Sequence, residues 1–204
     1  MGLGLNVSSG GGDFMPIIKY DARAGRIHKI DRVQGADPIS TEITNNFTAV
    51  FDLANIEVGW ALFRDGMAPD WHMVRVGQPK PARPSPEHKA AFRVNVKLTK
   101  QNGGDVREFG SAARCVIVSI DVLHDAYAAS DESKRGMLPV VAMVGTEQIK
   151  SGGGAKSSTN YQPKFEIKSW VERPADMVQV APTVQANPAK QPSQTSITDD
   201  DVEF

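Results

Sequence analysis

The sequence predicts a mainly β domain that contains one helix and is followed by a polar tail. Three observations carry that prediction. Residues 91–100 alternate strictly, with Phe92, Val94, Val96 and Leu98 on one side and Arg93, Asn95, Lys97 and Thr99 on the other. That is the period of a half-buried strand, here with a cationic outer face. Residues 112–129 are long enough for a helix and carry Ala113, Val116, Ile117, Ile120, Leu123 and Tyr127 as a helical stripe, although Val116, Val118, Ile120 and Val122 also alternate as a strand would. From Pro174 onward Pro, Gln, Ala, Ser and Thr replace any periodicity, which predicts disorder.

The remaining elements follow in chain order. Residues 1–12 are rich in Gly and Ser and read as a flexible N-terminus. Phe14 to Tyr20 and Arg26 to Val33 read as a hairpin joined through Asp21–Gly25, where Gly25 can take a positive φ. Phe47 to Leu53 and Glu57 to Arg64 read as one long strand or as two broken at Ala54-Asn55, and Trp71 to Gly77 as a further short strand. Gln78 to Pro86 holds Pro79, Pro81, Pro84 and Pro86 interleaved with Lys80 and Arg83. Prolines at that density lack the N–H groups that a helix or an inner strand needs. Ser111 suits the N-cap of the following segment, and its Ala-rich exit (Ala126, Ala128, Ala129) favours helix. Leu138 to Gly145 reads as a strand, Thr146 to Asn160 as a Gly/Ser/Lys loop, and Tyr161 to Val171 as a last alternating strand. The organisation expected is a flexible segment at 1–12, one folded domain at 13–174, and a disordered linker with an acidic tail at 175–204.

A chain of 204 residues can bury an adequate core. Its formal net charge of −1 conceals a division: residues 179–204 set Lys190 against Asp199, Asp200, Asp201 and Glu203, and the rest holds 22 cations against 20 anions. The body is only mildly basic, so a nucleic-acid role has to rest on local clustering. The single cysteine, Cys115, excludes an internal disulfide framework and fits a reducing compartment. With no Cys or His at a motif spacing, it reads as a buried structural thiol. Met1 to Gly12 has neither the basic start nor the apolar core of a signal peptide. Asn6 stands where a myristoylation site wants Ser or Thr, and no apolar run is long enough to span a bilayer. The expectation is a soluble, cytoplasmic protein.

Several strands, a helix, a strand, a loop and a strand make the order of a five-stranded OB barrel, which sets one helix between its third and fourth strands and binds oligonucleotides or oligosaccharides across strands 2 and 3. The Pro/Lys/Arg loop lies between the candidates for those two strands, and the N-terminal hairpin is an addition to the barrel. The C-terminus, Asp199-Asp200-Asp201-Val202-Glu203-Phe204, resembles that of the bacterial single-stranded DNA-binding proteins, which end Asp-Asp-Asp-Ile-Pro-Phe, with Glu203 in place of Pro. Gly110-Ser111-Ala112-Ala113, Leu138-Pro139-Val140-Val141-Ala142, and Tyr161 to Ile167 through Trp170-Val171-Glu172-Arg173-Pro174 resemble phage-encoded single-stranded DNA-binding proteins. The likeness spans most of residues 40–204. It implies an OB fold that coats single-stranded DNA, largely independently of sequence, in phage replication, recombination or repair within a host bacterium.

Strand coating needs cations along the phosphates and aromatic faces for the bases. Residues 73–107 hold eight cations (Arg75, Lys80, Arg83, Lys89, Arg93, Lys97, Lys100, Arg107) against Glu87 and Asp105. Arg75, Lys80, Arg83, Arg93 and Lys97 are the expected phosphate contacts. Trp71 shares a strand face with Met73 and Arg75, opposite His72, Val74 and Val76, and suits a stacking platform and a core position equally well. Phe63, out of phase with Val58, Trp60 and Leu62, could extend the platform, whereas Trp60 reads as core. In the last strand Lys164, Lys168 and Trp170 share a face opposite Phe165, Ile167 and Val171, and join the candidate interface.

Gly152-Gly153-Gly154-Ala155-Lys156-Ser157 lacks phosphate-loop spacing and reads as a flexible connection from which Lys156 could touch a strand backbone. Asp121, His124 and Asp125 stand at metal-ligand spacing on the presumed helix, but no fourth ligand is evident, and His28, His72 and His88 fall in separate elements. A solvated helix face is the simpler reading, so no metal or other cofactor is expected. Nor is catalysis, because no nucleophile elbow or paired-carboxylate motif is present.

Residues 175–198, as a coil, reach roughly 27 Å. That is enough to return Asp199, Asp200, Asp201, Val202, Glu203 and Phe204 to the basic region or to present them to a replication or recombination protein. Phe204 would enter an apolar pocket while the carboxylates meet Lys or Arg. A pocket shaped for Pro suits Glu203 poorly, which points to a phage-encoded partner. Two other readings stay open: a protein-interaction module whose tail carries the function, and a metal-dependent nucleic-acid enzyme.

Overall fold

A computed structural model of the chain describes residues 15–31, 36–64, 67–151 and 158–177. The tail residues Asp199 to Phe204 and the loop residue Lys156 lie outside them. The hairpin is present, with strand β1 (Ile17–Asp21) antiparallel to β2 (Arg26–Asp31). Its turn is closed by Asp21, whose Oδ1 accepts the Arg23 and Ala24 N–H groups at 2.9 and 3.2 Å. Gly25 has φ +68°, and a Cβ there would stand 3.0 Å from Cβ of Tyr161. Both the turn and the close approach of the last strand therefore require glycine.

A short edge strand, β3 (Ile39–Glu42), follows. Then β4 (Thr48–Phe51) and β5 (Glu57–Leu62) are separated by a 3-10 turn at Leu53–Asn55. The break lies at the predicted Ala54-Asn55, and its reason is pairing: both strands lie along one long strand, β7 (Lys89–Leu98). β4 pairs its C-terminal half (Phe51 with Val96) and β5 its N-terminal half (Glu57 with Arg93). Among the described residues β6 (Asp70–Arg75) pairs only with β5. The other edge of β7 pairs with β8 (Val106–Ser111), which the sequence reading did not identify. β8 is followed by helix α1 (Arg114–Ala129) and a single turn, α2 (Asp131–Lys134). The chain closes with the long hairpin of β9 (Leu138–Ser151) and β10 (Ser158–Val171). Residues 146–151 and 158–160, read as loop from sequence, are therefore strand.

The expected mainly β architecture is present, but among the described residues it is one mixed sheet of ten strands in the order β10-β9-β4-β7-β8-β1-β2-β3, with β5 and β6 branching from β7. The N-terminal hairpin is integral rather than added: β1 runs parallel to β8, and Ile18, Tyr20 and Ile27 are in the core. At the end of β1 the chain meets β10, where Tyr161 N–H donates to Ala22 O at 2.7 Å and Tyr20 Oη to Tyr161 O at 2.8 Å. The core is an aromatic cluster. Phe109 stands edge-on to Phe51, Phe92 and Phe165 at centroid distances of 6.2, 5.4 and 6.4 Å, the arrangement that ring quadrupoles favour.

α1 covers this cluster with Cys115, Val116, Ile120, Leu123 and Tyr127, close to the predicted stripe. Ser111 is not its N-cap. Ala113 holds that position, and Ser111 Oγ accepts the Ala113 N–H at 3.1 Å. Cys115 is buried, and burial pushes its thiol above the ordinary range. The folded chain runs past Pro174 to Met177, which is buried.

Candidate nucleic-acid interface

In β7 the predicted two faces are observed: Phe92, Val94, Val96 and Leu98 are buried, while Arg93, Asn95 and Lys97 are half-buried on the opposite side. Strand register extends that outer face across its neighbours. Arg93 lies opposite Glu57 and Gly110, and Glu57 opposite Arg75. Ala91 lies opposite Gly59 and then Met73; Lys89 lies opposite Ala61 and then Trp71. Trp71, Met73 and Arg75 therefore share a face with Arg93 and Lys97.

The indole of Trp71 reaches across this sheet as far as β8. A Cβ on Gly110 would stand 2.9 Å from its Cη2, so glycine is what allows the ring to reach that strand. Phe63 stands edge-on to Trp71 at 5.3 Å and is 49% exposed. The Arg93 guanidinium lies 5.8 Å from the Trp71 ring centroid, within cation–π range. Three of the predicted residues thus form one half-exposed aromatic and cationic patch.

The charges are arranged differently from the sequence expectation. Arg93 is already paired: its Nε and Nη2 donate to Glu57 Oε2 at 2.8 and 2.6 Å, and Nη1 lies 3.5 Å from Glu108 Oε2. Burial holds the Glu108 carboxyl above the usual carboxylate range; the nearby Arg93 opposes that rise, and Glu57 adds to it. Lys97 is paired with Asp176, just beyond the last strand. Arg107, counted in the basic stretch, is buried between Asp31 and Asp105 at 2.5 and 2.8 Å. Arg75, Lys80 and Lys89 make no ion pair among the described residues.

Lys80 and Arg83 are not on the Trp71 face. They lie over Trp60, at 4.3 and 5.3 Å from its ring. Trp60 is half-buried rather than core, and its Nε1 donates to Pro81 O at 2.8 Å. Arg83 turns its donors inward, Nε to His88 O at 2.8 Å and Nη2 to Pro86 O. It holds the Pro-rich loop closed rather than standing ready for a phosphate. The signal for this second cluster was in the sequence, as cations spaced along a proline-stiffened loop that returns toward a Trp.

Lys164, Lys168 and Trp170 are not brought to either patch. β10 is three ladders away from β7, and Lys164 and Lys168 pair with Glu147 and Glu166. A register shift between Ile167 and Ser169 reverses the alternation of β10. Trp170 therefore turns to the core side with Phe165 and Ile167, 6.0 Å from Tyr127 of α1. On α1, Asp121 and Asp125 are exposed and form no ligand group with His124. The structure instead brings together Asp70, His72 and His88, the last two assigned to unrelated elements by the sequence reading. Compared with family models, curated proteins and solved structures, the chain matches none of them.

Proposed function

We propose that this protein binds single-stranded DNA without catalysis, in the manner of an OB domain, and serves phage-type replication, recombination or repair. One observation carries the reading: Trp71 of β6 is half-buried, its ring reaches over the outer face as far as β8, it is braced by Phe63 and Gly110, and it stands beside Arg93 on the face that also carries Arg75. An aromatic ring flanked by guanidinium groups on an open strand face is what sequence-tolerant stacking requires.

The topology supports the OB comparison. The bent pair β4–β5, then β7, β8, α1, β9 and β10 follow the five-strand order with its helix between the third and fourth members. In that correspondence β6 and the Pro-rich loop are an elaborated connection between the first two strands, not between the second and third as the sequence reading placed the loop. The Trp71 face is then the outside of strands 2 and 3, where such ligands lie.

The internal pairing of Arg93 and Lys97 sets the mechanism. DNA phosphates must compete with Glu57, Glu108 and Asp176 for these cations, while Arg75 and Lys89 offer charge at once. The acidic end of the chain fits the same scheme as a detachable competitor and as the handle for partner proteins.

Titration of full-length protein with labelled oligo-dT tests the reading by quenching of Trp fluorescence. Binding is expected to be several-fold or more tighter than to duplex and to weaken steeply with salt. Equal affinity for duplex would overturn it. So would unchanged binding in R75E/K89E, and that outcome would favour a protein-interaction module.

A further inference from the structure

Three side chains meet where β6 passes the end of the Pro-rich loop. Asp70 and His72 stand two residues apart on β6, so the strand's pleat puts both on one face. That face also carries Trp60, which pairs with His72 across the β5 ladder. His88 closes the loop one residue before β7. Its imidazole is buried at 5% exposure, while Asp70 and His72 are 57% and 42% exposed.

Asp70 Oδ1 lies 3.2 Å from His72 Nε2, and Asp70 Oδ2 lies 3.1 Å from His88 Nε2. The two imidazole rings stand edge to face at 5.3 Å, and one donor atom from each of the three residues lies within 4.8 Å of the others. The remaining nitrogen of His88, Nδ1, is 2.8 Å from Ser85 Oγ.

A carboxylate facing two Nε2 atoms needs either a proton on each nitrogen or a cation shared among all three groups. The Ser85 contact has the form of the outer hydrogen bond that orients a ligating histidine and leaves its other nitrogen free for the metal. The spacing also suits an ion. Ligand atoms about 2.0–2.1 Å from a tetrahedral Zn2+ stand about 3.3 Å from one another, and each imidazole nitrogen already has one Asp70 oxygen near that value, Oδ1 for His72 and Oδ2 for His88. Small rotations of the exposed Asp70 and His72 side chains would bring one carboxylate oxygen and both nitrogens, now within 4.8 Å of one another, to that spacing. Two imidazoles and one carboxylate do not resemble the all-oxygen cage that Ca2+ or Mg2+ takes.

From this geometry we infer that Asp70, His72 and His88 bind a divalent transition ion, Zn2+ foremost, through two Nε2 atoms and a carboxylate oxygen, with water in the remaining position. The ion would join β6 to the last turn of the Pro-rich loop. That loop carries Lys80 and Arg83 over Trp60 and is otherwise held by the Trp60–Pro81 bond and by Arg83's bonds to Pro86 O and His88 O. The inference does not depend on what the Trp71 face binds.

Calorimetric titration of chelator-treated full-length protein with Zn2+ tests the site. One ion per chain is expected, and Co2+ in its place should give visible d–d absorption. His72→Ala and Asp70→Asn change exposed side chains and should keep the fold, checked by circular dichroism, while weakening binding at least about tenfold, the loss typical even for outer-shell changes. Ser85→Ala should weaken it about tenfold through orientation alone. Removal of Asp199–Phe204 should leave the affinity unchanged, which separates this site from the acidic tail. Absence of binding heat, or His72→Ala binding Zn2+ as tightly as the parent protein, would overturn the inference.

Discussion

Arg173 donates through both terminal nitrogens to the carboxylate of Asp52, at 2.6 and 2.7 Å, and so joins the end of the last strand to the corner between β4 and β5. The Asp52 side chain is 3% exposed and Asn55 Nδ2 also reaches it, at 2.9 and 3.0 Å. Arg173 further reaches Met177 O at 3.5 Å. Immediately before Met177, Asp176 pairs with Lys97 on the β7 face, so the bridge and this pair hold residues 173–177 against the domain.

Replacing Arg173 with Met leaves Asp52 buried and short of its main partner, which costs about 3 kcal/mol. Urea unfolding should show that loss, and the double change D52N/R173M should recover part of it. A single-variant loss below about 0.5 kcal/mol would place the pair among inert surface contacts.

Trp71→Ala should lower oligo-dT affinity by the stacking energy of one base, about 1–3 kcal/mol, and abolish most of the fluorescence quenching. Trp170→Ala should act in the opposite sense, reducing stability through its lost contact with Tyr127 while leaving DNA affinity within about twofold, since near-neutral contacts are the norm away from the binding patch. Equal effects of the two changes on binding would refute the division between them.

Asp176→Asn releases Lys97. The freed cation should raise oligo-dT affinity a few-fold and steepen the dependence on salt by up to about one phosphate contact. An unchanged salt slope would show that Lys97 does not meet DNA. Deletion of Asp199–Phe204 should likewise leave affinity equal or higher.

Glu108 sets a pH dependence. Its folded-state pKa is raised, chiefly by burial, so its contribution to stability is full below about 4.3, the ordinary Glu value, and is lost as pH rises through the folded value. Over the same window its proton removes a negative charge from the Trp71 face, so oligo-dT affinity should increase as pH falls. Glu108→Gln should flatten both trends. Profiles for the variant that overlay those of the parent protein would eliminate Glu108 as their source.

Gly110→Val should displace the Trp71 indole, because its Cβ would stand 2.9 Å from Cη2. The expected readouts are a red-shifted Trp emission and weaker oligo-dT binding. Unchanged emission would mean that the ring does not rest on β8.

Much of the scaffold was legible because simple periodicity reports burial. β7 alternates in sequence and in exposure, and the α1 stripe faces the core. β8 escaped because its inward face carries Arg107, whose burial is made possible by Asp31 and Asp105, so the segment does not alternate as a strand should. β3 escaped because all four of its residues are exposed at an edge. Trp170 was assigned to the wrong face because a register shift in β10 is not visible as a residue pattern. The site was half legible: Trp71, Phe63, Arg75 and Arg93 share a face, whereas Lys80 and Arg83 serve Trp60.

By itself the sequence determined the mainly β class, the single long helix, the outward cations of β7 and the acidic character of the chain's end, since each follows from local composition and spacing. Only the tertiary structure decided which cations are paired, which tryptophan stands on the Arg93 face of β7, and that His72 and His88 converge on Asp70. Those outcomes depend on distances between residues far apart in the chain, and an ion pair or a ligand cluster forms where backbone packing brings opposite groups within a few ångströms.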